Sequence, residues 1–149
     1  MTSIRLFNSR TLPGKYSKQI LNSNLCMRDG EDVVHRDWVK LQLSRATFVI
    51  VALVSCNVKG FLLGFDFDKE SKKKKIWTLD TICREPGEQN RLLVGLLIAR
   101  FVKEAKKNDI TQIVLYATTK YSKVAYLKYG FITMGREDKT GGTHMRLDI

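Results

Sequence analysis

The chain has 149 residues, 44% hydrophobic and 28% charged, a length that suits one folded domain with a single core and a composition too apolar for disorder. Its net charge is +11, with 10 basic against 7 acidic side chains in residues 1–71 (+3) and 16 against 8 in residues 72–149 (+8); such a field favours polyanions and weighs against polyamines or strongly basic tails as substrates. The longest apolar runs, residues 48–54 and 92–99, fall short of the ~20 residues of a membrane helix, the N-terminus lacks a signal peptide's apolar stretch, and Cys26, Cys56 and Cys83, widely spaced and without clustered histidines, read as reduced thiols of a metal-free intracellular protein, cytoplasmic or nuclear.

Residues 4–7 read as a first strand. Pro13 suits the first turn of a helix, and Tyr16, Ile20 and Leu21 continue its spacing toward Leu25, with an end near Asp29 and Gly30. Asp32 is placed to cap a second helix in which Val34, Trp38 and Leu41 share one face, ending near Ser44 or Arg45. Residues 47–55 are dense in β-branched side chains and read as a buried strand, Cys56 and Asn57 as a turn, and residues 59–68 as the antiparallel partner. A charged tip at residues 70–75 leads to a strand over residues 76–83, which Pro86 and Gly87 break. Residues 92–107 read as a helix whose first half is apolar nearly all round and therefore buried, with Asn108 and Asp109 ending it. A strand at residues 112–117, a helix at 122–129, a strand at 131–135 and a last strand at 143–149, after the Gly141-Gly142 turn, complete the order.

The most informative segment is Tyr126-Leu127-Lys128-Tyr129-Gly130-Phe131. Gly130 can end a helix in the left-handed conformation and Phe131 can begin a strand, so the segment is a helix-to-strand corner carrying two tyrosines. It resembles the Y-x-K-x-G-F signature of the GNAT superfamily of acetyl-CoA-dependent N-acetyltransferases, and the order of strand, two helices, three strands, helix, strand, helix and two strands is that superfamily's order as well. The resemblance implies an α/β, GNAT-like single domain over residues 1–149, with a mixed, mostly antiparallel sheet of six to seven strands flanked by about four helices.

In that superfamily the strand before the long helix is followed by Q/R-x-x-G-x-G/A, whose backbone amides bind the pyrophosphate of coenzyme A. The matching stretch is Gln89-Asn90-Arg91-Leu92-Leu93-Val94, at a polar-to-apolar switch where unpaired amides and the helix dipole attract phosphate. Leu92 and Val94 stand where the family has glycine and glycine or alanine, which makes the loop degenerate and puts branched side chains where a phosphate approaches backbone closely. Gly95, one residue later, offers room to a shifted loop. Arg91 and Gln89 add side-chain contacts to phosphate, or Arg91 is a solvated first-turn residue. Lys72, Lys73, Lys74 and Lys75 read as a solvated tip and a candidate polyanion contact.

Acetyl transfer to an amine needs a neutral amine, a polarised carbonyl and a proton for the departing thiolate. By resemblance Tyr126 is the acid that protonates the coenzyme A sulfur, since a phenol with an ordinary pKa near ~10 is protonated at neutral pH; the helical pattern alone makes it a core-packing tyrosine. The resemblance also implies an amide left free at a bulge in the strand over residues 76–83, at Ile82 or Cys83, to hold the carbonyl. Asp80, a carboxylate in an apolar strand, is the candidate base if burial raises its pKa, and an aspartate facing water or a lysine if not. Glu85 or a water chain could take its place. Thr119 sits where many members have asparagine near the pantetheine arm. His35 and His144 have no catalytic partner in spacing and read as structural or surface residues, and Cys83 as a buried structural thiol.

The function so implied is transfer of acetyl from acetyl-CoA, as co-substrate and without a metal, to an amine (a protein lysine, an N-terminus or a small amine) by direct attack in a ternary complex. The alternative is a catalytically inactive GNAT-fold protein that binds nucleic acid or an acidic partner through its basic face. The two missing glycines favour the second and Tyr126 favours the first.

Overall fold

In the computed structural model the described residues are 1–22, 25, 36–67 and 75–149. The strands are β1 (Thr2–Phe7), β2 (Phe48–Val54), β3 (Asn57–Phe65), β4 (Ile76–Arg84), β5 (Gln112–Ala117), β6 (Ile132–Met134) and β7 (Thr143–Asp148); the helices are α1 (Gly14–Asn22), α2 (Arg36–Arg45), α3 (Leu93–Lys107) and α4 (Lys120–Lys128). The seven strands form one sheet in the order β1-β2-β3-β4-β5-β7-β6. β4 and β5 pair in parallel, whereas β1 with β2, β2 with β3, β5 with β7 and β6 with β7 are antiparallel. This is the mixed α/β architecture that the element order implies. The residues group into two units, Met1–Phe65 with Thr81–Phe101 and Asp66–Asp80 with Val102–Ile149.

In the first unit β2 and β3 are apolar on both faces, and residues 49–53 are wholly buried because helices cover both sides. Val49, Val51, Phe61 and Leu63 point into a cluster with Tyr16 and Ile20 of α1 and Val39 and Leu43 of α2. The opposite face receives α3: Phe101 stacks edge-on against Phe48 at 5.9 Å, and Arg100 donates to the Ile4 carbonyl at 3.2 Å. Gly64 is required there, since a Cβ would come within 2.5 Å of the Phe101 ring. The β2–β3 register shifts between Ala52 and Leu53. On the bulged side the Lys59 carbonyl accepts from the Glu85 amide at 2.7 Å, while its ammonium pairs with the Glu85 carboxylate at 2.6 Å.

In the second unit Leu115 and Ala117 of β5 point inward directly opposite Met145 and Thr143 of β7, and buried Ile113 lies opposite half-buried Leu147. The other face carries Tyr116, His144, Ile132 and Met134, all exposed. β4 pairs with β5 through Ile76, Thr78 and the buried Trp77 between them, opposite Gln112, Val114 and Ile113.

Several expectations need correction. α1 spans Gly14–Asn22 and Leu25 lies in a turn, so the helix does not reach Leu25 as expected; the expected end at Asp29 and Gly30 and the cap at Asp32, with Val34 and His35, lie outside the described residues. α2 buries Val39 and Leu43, while Trp38 and Leu41 are exposed. A helix this sparse in apolar residues offers two candidate faces, and packing against β2 and β3, not spacing, selects one. The β2–β3 turn is Ser55 and Cys56, with φ +50 and +68, so β3 begins at Asn57. Two consecutive left-handed residues match the twist of a hairpin. The first half of α3 is not buried all round: Leu93, Leu97, Ile98 and Phe101 point inward, but Leu96 and Ala99 are exposed.

Candidate functional site

The stretch after β4 is built from the bottom up by one cation and one glycine. Arg84, the last residue of β4, turns its guanidinium back to donate to the Glu85 carbonyl at 3.2 Å and the Gly87 carbonyl at 3.1 Å. Gly87 takes φ +128, with the Gln89 amide group lying where a Cβ would be. A 3-10 turn, Glu88–Asn90, follows and buries Asn90. The first α-helical bond runs from the Leu96 amide to the Leu92 carbonyl at 3.2 Å. Leu92 is therefore the cap position, and among the described residues neither a carbonyl nor a side chain accepts from the amides of Leu92, Leu93, Val94 and Gly95.

Those open donors carry the positive end of α3's dipole. The Leu92 side chain is 80% exposed and Val94 half-buried, while Leu93 takes the inward position. The branched Leu92 side chain is thus no part of the core. The Arg91 guanidinium is 2.8 Å from the Glu88 carboxylate, with both side chains largely exposed. An exposed pair of this kind contributes ~0–1 kcal/mol, so a phosphate offering charge-assisted bonds can draw Arg91 away.

β4 supplies Asp80, Ile82 and Cys83. Along it Trp77 and Leu79 are buried and alternate with half-buried Ile76, Thr78 and Asp80; then Thr81, Ile82 and Cys83 are buried in succession. Cys83 is disulfide-bonded, so the expectation of reduced thiols fails there, and Cys83 is no nucleophile. Cys56 is free and exposed. Glu85, the alternative base, is taken up by Lys59. Among the described residues no cluster of His, Cys, Asp and Glu is placed to hold a metal ion, and no helix is long and apolar enough to cross a membrane.

α4 begins two residues before the expected position because Thr119 caps it. The Ser122 amide donates to Thr119 Oγ1 at 3.1 Å and the Thr119 amide donates to Ser122 Oγ at 3.1 Å, a reciprocal capping box. The Thr119 hydroxyl proposed for the pantetheine arm is thus already engaged by the cap. Tyr126, half-buried, sets its ring edge-on to the buried Phe131 at 5.7 Å. Gly130 closes the corner at φ +94, with the Phe131 amide donating back to the Tyr126 carbonyl at 3.2 Å.

The Tyr116–Asp138 pair carried no signal in residue spacing. The Tyr116 hydroxyl donates to Asp138 Oδ2, and Asp138 Oδ1 accepts from the Thr140 hydroxyl at 2.6 Å and the amides of Thr140 and Gly142 at 2.9 Å each. The Thr140 hydroxyl, then Tyr116 and the Gly142 and Thr140 amides, hold the Asp138 carboxyl well below its usual range. The bond to Asp138 in turn raises the Tyr116 phenol. His144, read as a structural or surface residue, is exposed and lies against Tyr116 with ring centroids 4.9 Å apart. The D-x-T-x-G run was legible as a turn; its tie to a strand more than twenty residues earlier was not. Arg84 was missed for a similar reason, because a side chain folding back on its own loop leaves no periodic mark.

No family model and no curated protein sequence matches the chain. Solved structures do. The protein is similar to Ard1 from Thermoplasma volcanium (17% identity, 99% of this chain and 97% of that one, TM-score 0.70). It is similar to an acyl-CoA N-acyltransferase from Pseudomonas aeruginosa (14%, 99% of each chain, TM-score 0.72) and to the PaiA N-acetyltransferase from Thermoplasma acidophilum in complex with coenzyme A (12%, 100% and 99%, TM-score 0.70). The chain has the GNAT fold.

Proposed function

We propose that this GNAT-fold chain is an acetyl-CoA-dependent N-acetyltransferase. The observation that carries the reading is the uncapped start of α3: four amides without acceptors among the described residues, behind a glycine turn that Arg84 clasps, with the Leu92 side chain exposed to solvent. A similar fold has been solved with coenzyme A. In this reading the amides of Leu92, Leu93, Val94 and Gly95 take the pyrophosphate, with Arg91 and Gln89 adding side-chain donors. A β4 amide, at Ile82 or Cys83, polarises the thioester carbonyl.

The acceptor, a protein lysine, an N-terminus or a small amine, attacks the carbonyl carbon directly as the free amine. The C–S bond breaks, the thiolate takes the phenolic proton of Tyr126, and the proton shed by nitrogen passes to Asp80 or to water. The non-catalytic reading, a basic face for nucleic acid or an acidic partner, rests on the missing loop glycines. It loses ground because the Leu92 side chain lies outside the core and is not held in place against a phosphate.

The test is heat denaturation with acetyl-CoA. At 100 times its Kd a ligand stabilises by ~2.7 kcal/mol, which at roughly 2–4 °C per kcal/mol for a chain of this size raises Tm by about 5–10 °C. Release of free coenzyme A thiol with an amine acceptor should accompany it. An unchanged Tm with no thiol release refutes the reading, and affinity for single-stranded DNA falling steeply with salt would then favour the alternative.

A further inference from the structure

α4 presents two unlike sides. Its inward side is accounted for by buried Ser122 and by Tyr126 against Phe131. Its outward side is not that of a solvated helix: Tyr121, Val124 and Leu127 are 62%, 53% and 46% exposed. At spacings of three residues they fall within an arc of about 120°, and Lys120 and Lys128 lie in the same arc. Residues 118–135 contain three lysines and no acidic residue. Lys123 reaches Glu137 at 3.4 Å; for Lys120 and Lys128 no ion pair is found among the described residues. Large apolar side chains framed by unneutralised cations mark a surface made to be covered.

We propose that this arc of α4 docks a partner protein through an acidic amphipathic segment, with apolar side chains over Tyr121, Val124 and Leu127 and carboxylates against Lys120 and Lys128. Charge complementarity selects this occupant. A second copy of the chain would set Lys120 and Lys128 against their own equivalents, with no acid on the helix to offset them. Nucleic acid would use the lysines but gains nothing from Val124 and Leu127, and α4 carries no arginine to stack on a base. An acidic amphipathic segment uses both features, and the lysine stems extend the apolar area it buries. The surface is small, so the complex is transient, with micromolar affinity. The inference is independent of acetyl transfer.

The experiment is fluorescence anisotropy of the full chain with a labelled helical peptide of leucine and glutamate, the leucines on one face. Binding should be micromolar, and at least about tenfold weaker for the same peptide with serine in place of leucine. The Val124→Ser/Leu127→Ser double variant should lose about tenfold as well, with Tm and acetyl-CoA response as in the wild type, because surface changes usually shift stability by less than ~0.5 kcal/mol. Lys120→Glu/Lys128→Glu should exchange preference, releasing the glutamate peptide and taking a lysine–leucine one. The proposal is overturned if the serine peptide binds equally well, if the variants bind as the wild type does, or if oligothymidine or phosphatidylserine vesicles bind more tightly than the peptide. Dimerisation that the serine variant abolishes would overturn it too.

Discussion

At the start of α4 the Thr119 hydroxyl takes the Ser122 amide and Ser122 answers with its own hydroxyl, whereas at the start of α3 nothing accepts from Leu92, Leu93, Val94 or Gly95 among the described residues. Both helices follow a strand of the same sheet, so sheet packing does not explain the contrast. A cap contributes ~0.5–2 kcal/mol, a gain forgone at α3. A closed end fixes the register of the side chains behind it, as Thr119 does for Tyr126; an open one leaves donors for an anion that arrives from outside. In the proposed function α3 binds and α4 positions.

The largest expected effect breaks the positioning half of the contrast. Tyr126→Phe should lower kcat about 100-fold or more if the phenol is the acid, with acetyl-CoA affinity within about twofold; unchanged turnover in steady-state kinetics would remove Tyr126 from the chemistry.

Closing the open end comes next. Leu92→Asp places a carboxylate at the cap of α3, where it should add ~1 kcal/mol of stability in urea unfolding while weakening acetyl-CoA about tenfold through charge repulsion. A variant that gains stability and still binds acetyl-CoA as before would show that the pyrophosphate lies elsewhere. The converse change, Leu92→Gly with Val94→Gly, should tighten acetyl-CoA by several-fold by clearing the approach to the backbone; isothermal titration decides, and weaker binding in a folded variant counts against the matched loop.

Opening the closed end is milder. Thr119→Ala should cost ~1 kcal/mol and create no affinity for acetyl-CoA beyond the wild type's.

The smallest effect is a pH dependence at Tyr116. Because its bond to Asp138 raises the phenol pKa, the stabilisation it lends to the Asp138 turn is complete below the ordinary value near ~10 and is lost as pH rises through the higher folded value. Asp138, with its pKa lowered chiefly by Thr140, contributes above the ordinary carboxylate range near ~4 and loses that contribution only as pH falls through its depressed value. Ultraviolet titration should show one tyrosinate appearing late, and Tyr116→Phe should abolish that component.

Much of this arrangement could be read from residue order. β5 and β7 fall at the expected positions because short apolar or β-branched stretches are bounded there by turn residues. Gly130 marks the end of α4 because few other residues adopt its φ of +94. The helix start at residue 93 was legible within one residue from the polar-to-apolar switch. Other features were not legible, for identifiable reasons. The 3-10 turn Glu88–Asn90 is too short to carry a period. The buried face of α2 depends on what lies beneath it, and the orientation of Leu92 on where α3 finds its core contacts through Leu93, Leu97 and Phe101.

What the chain's order alone determined is the succession of elements, the helix-to-strand corner at Tyr126 and the placement of a polar loop ahead of an apolar helix, since these follow from periodicity, glycine conformation and charge along the backbone. What tertiary structure decided is which polar groups remain unpaired: Thr119 is consumed by a cap, Glu85 by Lys59, and the Leu92 to Gly95 amides by nothing among the described residues. Hydrogen bonding depends on distances between groups far apart or folded back in the chain, and those distances exist only once the core has packed.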